Sequence, residues 1–442
     1  MPAREPRASF PSTSAPTRGT YASGAIAGGD MRVFNTITTI AAGIALAFGA
    51  LAAPQAARAE IGDGTVRIGV LTDLSGPYAD NVGKGAILAA QMAVEDFGGK
   101  VAGVPVEVVS ADHQNKADVG SAIARKWYDV DKVDMITEVV SSAVALSVQQ
   151  ITREKNKVFL ATGPGTPDLT GKACSPNGVH WAYDNYALGN VVAGAVVRRG
   201  LGKWFFLTAD YSFGHALEEQ AARVVKANGG TVLGSVRAPL GTADFSSFLL
   251  QAQASGAQVI GLANAGADMI NAQKQAAEFG IVGGGQSIAA LLVNLPDINA
   301  LGLASAQGLL LADSFYWDMN DATRAWSKRF MARFDGRAPG SLQAAVYGAV
   351  SHYLKAIEAA KSDDAAAVTA EMRKLPINDF YTHDARIRAD GRVIRDMYLL
   401  QVKSPDESKY PWDFYKLLET VPGDKAFRPL AEGGCALALK DQ

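Results

Sequence analysis

Two adjacent serines, Ser141 and Ser142, follow an apolar β-rich run (Val133–Val140) and open a stretch with helical spacing. A helix N-terminus presents free N–H groups and partial positive charge, so hydroxyls placed there can seat a carboxylate. A serine in that position can equally serve only as the cap of its own helix, and both readings stay open. Other polar groups cluster after other apolar runs. Asp73-Leu74-Ser75-Gly76-Pro77-Tyr78 follows Val66–Thr72; Ser75 offers a donor and Tyr78 a flat face, or the segment is an ordinary turn. Thr162-Gly163-Pro164-Gly165-Thr166 adds a hydroxyl, and Gly163 lets backbone approach a ligand. In the second half, Tyr211 follows one strand pattern, and Asn264 and Asp268 follow another. Asp268 at a helix start either complements the dipole or holds a ligand cation. Aromatics gather at Trp181, Tyr183 and Tyr186 and again at Phe315-Tyr316-Trp317, in turn-rich regions that suit pocket walls.

Patterns for covalent chemistry are missing. Gly165–Lys172 has one residue too many between its glycines for a phosphate loop, and Ala173 stands where Ser or Thr is needed. No GxGxxG follows the first strand and no GxSxG elbow is present. The histidines, His113, His180, His215, His352 and His383, are too scattered for an HExxH helix, and His113 beside Asp112 reads as a surface-loop residue. Two cysteines cannot make a Cys-based zinc cluster. The sequence therefore predicts no enzyme, no metal and no cofactor. A net charge of -2, from 42 Lys+Arg against 44 Asp+Glu, gives no excess to neutralise phosphates and argues against nucleic acid.

These loops need elements to position them. With 48% hydrophobic and 19% charged residues, the 442-residue chain has ample material for a core. Strand patterns at Val66–Thr72, Val106–Val109, Val133–Val140 and Val158–Thr162 alternate with helical ones, and the alternation resumes at Trp204–Leu207, Thr231–Val236, Val259–Leu262 and Ile288–Val293. Such alternation predicts an α/β protein with two doubly wound parallel sheets, since one compact sheet would be too wide. Ligands of doubly wound sheets sit beyond the carboxyl ends of the strands, where the polar loops above fall. Turn-rich Gly163–Gly178 and the stretch near Ala300–Gly308 mark crossings between two lobes. After residue 320, helices at Ala322–Phe334, Ser341–Ala360 and Asp364–Leu375 return to the first sheet, and Asp390-Gly391 turns a hairpin between Ala385–Arg388 and Met397–Val402. The lobes are read as 60–182 with 313–390, and 183–312 with 391–442.

Residues 1–59 read as an extension followed by a signal peptide at 31–59. Arg32, the uncharged run Ile37–Ala53 and Ala57-Arg58-Ala59 supply its three parts, with cleavage after Ala59. A retained anchor over 33–53 would instead tether a sensor domain. In an exported protein Cys174 and Cys435 could pair, or remain separate thiols.

Several stretches together are similar to a known family. VRIGVLTDLSGPYADNVGKGAILAAQMAVEDFGG, VVSSAVALSVQQITREKNKVFLATGPGTPDLTG, Tyr211–Gly214 and GADMINAQKQAAEFGI, in this order, resemble the leucine/isoleucine/valine-binding family of periplasmic solute-binding proteins, over nearly all of 64–403. The resemblance implies two lobes joined by a three-crossover hinge, a monomer, and delivery of a small carboxylate ligand to ABC permease subunits. By position it implies that Ser141, Ser142 and Thr162 bind the ligand carboxylate, that Tyr78 and Tyr211 flank it, and that Asp268 meets an ammonium. Asp replaces the family's longer Glu, and Ala263-Asn264-Ala265-Gly266 replaces an aromatic-rich loop. Phe315-Tyr316-Trp317 and the tail SPDESKYPWDFYKLLETVPGDKAF look like a subgroup that includes binders of aromatic carboxylates. A branched-chain or other hydrophobic amino acid is the first ligand expected, an aromatic carboxylate the second.

Overall fold

The computed structural model describes residues 61–438. The signal peptide, its cleavage point and the alternative anchor lie outside these residues.

β-branched runs build a first sheet from β1 (Val66–Thr72), β2 (Lys100–Val101), β3 (Val104–Asp112), β4 (Met135–Glu138), β5 (Val158–Ala161) and β6 (Gly178–His180), in the order β2-β3-β1-β4-β5-β6. All pairings are parallel except the β2–β3 hairpin. β4 and β5 are buried along their whole length, as expected of central strands covered on both faces by crossover helices. The second sheet holds β7 (Lys203–Ala209), β8 (Thr231–Ala238), β9 (Val259–Ala263) and β10 (Ser287–Ala290), all parallel, in the order β10-β9-β7-β8. The fold is therefore α/β with two doubly wound parallel sheets. Helix Gly83–Asp96 stops at Gly98 and Gly99, whose φ of 96° and 72° favour glycine.

The chain then forms β11 (Leu310–Asp313), a two-stranded hairpin of β12 (Arg386–Ile387) and β13 (Val393–Ile394), β14 (Met397–Val402) and β15 (Tyr415–Val421). Asp390-Gly391 does make a turn, but between β12 and β13. The run Met397–Val402 pairs instead with β11 and β15, antiparallel to both. A hairpin signal fixes where a chain reverses, not how far its second arm continues. Helix Ser341–Ala360 packs on helix Gly83–Asp96 and reaches β4, so the late helices do cover the first sheet.

The passage from the first sheet to the second runs through residues 181–184. Arg392, fully buried, holds it from a later passage: its guanidinium donates to the carbonyls of Ala182 (2.7 Å) and Tyr183 (3.1 Å) and stacks on Phe427. Beside it the His180 N–H donates to the Gly391 carbonyl (2.9 Å). Residues after β15 dock against the loop of residues 163–178. Arg428 donates to the carbonyls of Pro167 and Thr170, and a disulfide joins Cys174 to Cys435 with 5.7 Å between their Cα atoms. No helix among the described residues is long and apolar enough to cross a membrane.

Candidate functional site

A small cavity lies where loops at the carboxyl ends of the two parallel sheets meet. From the first sheet come Tyr78 and Asn81 after β1, Val140 after β4, and Gly163 and Gly165 after β5. From the second come Tyr211 and Phe213 after β7 and Ala265 after β9. Tyr183, Leu292, Asn294 and Leu342 complete the wall. No charged side chain is among these lining residues.

The loops touch directly across the cleft. The Tyr78 and Tyr211 hydroxyls are hydrogen-bonded to each other, and the Asn81 amide donates to Asp297 (3.1 Å). The Ala267 N–H points at the Pro77 carbonyl (3.4 Å). Burial pushes the Tyr78 and Tyr211 hydroxyls far above the usual tyrosine range, so both stay un-ionised donors.

Beside the cavity, Ser141 and Ser142 begin helix Ser142–Glu154. Both are fully buried, and neither hydroxyl has a hydrogen-bond partner among the described residues. Ser141 occupies the cap position yet makes no side-chain cap. Burying an unpaired hydroxyl has a cost that a hydrogen-bonding partner can offset. The Thr162 hydroxyl, also buried and unpartnered, sits next to Gly163. A Cβ on Gly163 would lie 2.3 Å from Glu138 Oε1 and 2.8 Å from the Val140 Cα, so only glycine fits. On the opposite side the Asn264 amide is buried with both polar atoms unpartnered, and so is the Ser212 hydroxyl at the start of helix Ser212–Ala227.

Asp268 is buried in the first turn of helix Gly266–Glu278. Its two oxygens accept from the Gly241 N–H (3.1 and 3.2 Å). Burial pushes its carboxyl up to about 6, against the lowering effect of that N–H, and its charge reaches both cleft tyrosines. It stands behind the lining rather than in it.

Two expected residues point elsewhere. Ser75 is exposed and its hydroxyl donates to Asp112 (2.6 Å). Tyr316 is buried, with its hydroxyl donating to the Trp412 carbonyl and accepting from the Phe414 and Tyr415 amides. Of the two aromatic clusters, only Tyr183 reaches the cavity wall. His113 is not on a surface loop: it is fully buried, its Nδ1 accepts the Asn115 N–H (2.9 Å), and burial pushes it down to about 4. Sequence reasoning did not single out Asn81, Asn294, Leu292 or Leu342, which carry no local signal. It could have noted Glu138, an acid closing an apolar strand.

The chain matches the periplasmic binding protein family over residues 65–409. A periplasmic binding protein of Burkholderia mallei is 52% identical, with TM-score 0.83, over 85% of this chain and 100% of that one. A branched chain amino acid ABC transporter periplasmic ligand-binding protein of Burkholderia xenovorans LB400 is 41% identical, with TM-score 0.76, over 84% of this chain and 100% of that one. The Leu/Ile/Val-binding protein homolog 6 of Brucella abortus is 28% identical over 215 residues, 48% of this chain. The chain thus spans about half (53%) of the length of the curated relatives it matches. With sheets, crossings and an inter-sheet cavity in place, and with a family match over most of its length, this chain belongs to the periplasmic binding protein family.

Proposed function

We propose that the protein is the extracytoplasmic solute-binding component of an ABC importer, taking a small carboxylate-bearing ligand by hinge closure. The observation that carries this reading is the set of buried, unpartnered hydroxyls beside the cavity, those of Ser141 and Ser142 at a helix N-terminus and that of Thr162 after β5. The ligand carboxylate accepts from them, and Tyr78 and Tyr211 close over it from the two lobes. Ligand that touches both lobes only in the closed form shifts the population toward it by its differential affinity. The lobes are 60–182 with 313–390, and 183–312 with 391–442, with the tail beyond 421 fastened back to the loop of residue 174. The mature protein starts near Glu60 and acts as a monomer that presents its closed form to the permease subunits. It binds and releases without turnover, so mass spectrometry of released ligand finds it unaltered.

The first ligand class is a branched-chain or other hydrophobic amino acid, with Asp268 and Asn264 serving its ammonium group. The aromatic, uncharged lining favours a second class, a simple aromatic carboxylate. Calorimetry on the wild type and on Asp268→Ala, with L-leucine and with benzoate, separates the two. In the first reading the variant loses L-leucine binding; unchanged L-leucine affinity removes Asp268 from the site. Binding of neither ligand, nor of any related acid in a thermal-shift screen, overturns the carboxylate seat.

A further inference from the structure

Glu138 ends β4 directly beneath this seat, and nothing in the proposed binding cycle uses it. Its side chain is fully buried, and neither carboxyl oxygen has a well-formed hydrogen bond among the described residues. The carboxyl lies against Gly163, and Glu138 is followed by Val139 and the lining residue Val140. Glu138 and Val139 both adopt left-handed backbone, with φ of 77° and 57°. This turn lifts Val140 and Ser141 toward the cavity, while the Glu138 carbonyl receives the Thr162 and Gly163 N–H groups. Glycine or asparagine would satisfy that backbone with less strain. The acidic side chain is therefore not needed for the turn.

We propose that Glu138 is a positioning residue for the ligand anion: its carboxyl, kept protonated beneath Gly163, leaves the seat uncharged, and its ionisation expels a bound carboxylate. The proposal rests on the carboxylate reading above and adds proton linkage to it. The groups facing Glu138 fit this role. From the end of β1 come the Thr72 hydroxyl and Asp73, whose carboxylate accepts the Gly76 N–H (2.6 Å) and the Tyr78 N–H (3.1 Å). From the crossing comes Tyr183, which burial keeps un-ionised. Behind Asp73 stands His113, pushed down to about 4 and so neutral; behind Tyr183 stands Asp313, pushed up to about 7. Burial raises the Glu138 carboxyl to about 8, against the lowering effect of the Thr72 hydroxyl and the Val140 and Val139 N–H groups, with Asp73 adding like-charge repulsion. An acid with a raised value is neutral below it, so the seat admits an anion at neutral pH and turns against it above.

The test is the affinity for benzoate, which carries no ammonium to titrate, and for L-leucine, from pH 7.5 to 9.5. For the ligand that binds, the wild type should lose up to about tenfold in affinity per pH unit above the Glu138 midpoint. Glu138→Gln, isosteric and uncharged, should bind with a flat profile. A flat wild-type profile, or an equal slope in Glu138→Gln, overturns the proposal. Two further measurements apply: proton uptake on binding, from calorimetry in two buffers near pH 8, and the un-ionised carboxyl band of the ligand-free protein in infrared spectra, read as the difference between wild type and Glu138→Gln because Asp313 also contributes. Uptake and a difference band that fades between pH 7 and 9 support the proposal. No difference band at pH 7 overturns it even if neither ligand binds, and failure of both ligands with the difference band present overturns the carboxylate reading alone.

Discussion

Gly266→Ala is designed to wedge the cleft. Gly266 starts the helix after β9, and Pro77 lies in the loop after β1, so the two come from different sheets. A Cβ on Gly266 would lie 2.6 Å from the Pro77 carbonyl oxygen and 3.0 Å from Tyr78 Cδ1, whereas ordinary contact begins near 3.4 Å. The shortfall is roughly 0.8 Å against backbone, which cannot rotate aside as a flexible side chain can. Overpacking of this kind costs about 1–3 kcal/mol, and here only in the closed form. The ligand affinity should fall about 5- to 150-fold. Gly266 also has a φ of 56°, so alanine adds about 1 kcal/mol of strain in open and closed forms alike; that part lowers stability but cancels from binding. Gly280→Ala is the control, because Gly280 has a φ of 64° and nothing within 4 Å of the place its new methyl would take. Thermal melts should show a similar loss for both variants, and calorimetry with L-leucine and benzoate should show weakened binding only for Gly266→Ala. Equal affinities in the two variants would refute the reasoning that ligand binds in the closed form.

Two further outcomes follow from the same geometry. Ser142→Ala and Thr162→Val should each weaken binding by about 1.5–3 kcal/mol, the worth of a hydrogen bond to a charged group, while leaving the melting temperature of the ligand-free protein unchanged or higher, because the hydroxyls they remove have no partner. A drop in melting temperature without a change in affinity would mark them as structural. Reducing the Cys174–Cys435 bond, which closes a loop of sequence separation 261, should lower stability by about 2–4 kcal/mol and leave affinity within a few-fold, since neither cysteine lines the cavity.

The fold was legible wherever period and turn chemistry act locally. Val66–Thr72 forms the strand its β-branched run predicts, and Ser341–Ala360 is helical over the range its spacing predicts. The short strands β2 and β6 escaped because two or three residues hold no period. β15 escaped because its middle is mostly exposed and carries Lys416 and Glu419. At the site, residues on loops after strands were legible, since a doubly wound sheet puts those loops together. Side chains brought in by tertiary packing were not: Leu342 sits on a helix some 200 residues beyond Ser141 and looks like any core leucine. Tyr316 shows the opposite error. A tyrosine among aromatics suits a pocket wall, but here its hydroxyl is taken up by the backbone of residues 412–415, a partner that sequence alone does not reveal.

The most direct measurement of the central claim is small-angle X-ray scattering of the purified protein, alone and saturated with whichever of L-leucine and benzoate binds in calorimetry. Two lobes that shut on a seated carboxylate predict a smaller radius of gyration in the saturated sample, with Gly266→Ala requiring more ligand to reach it. An unchanged radius at saturation would contradict hinge closure as the binding step.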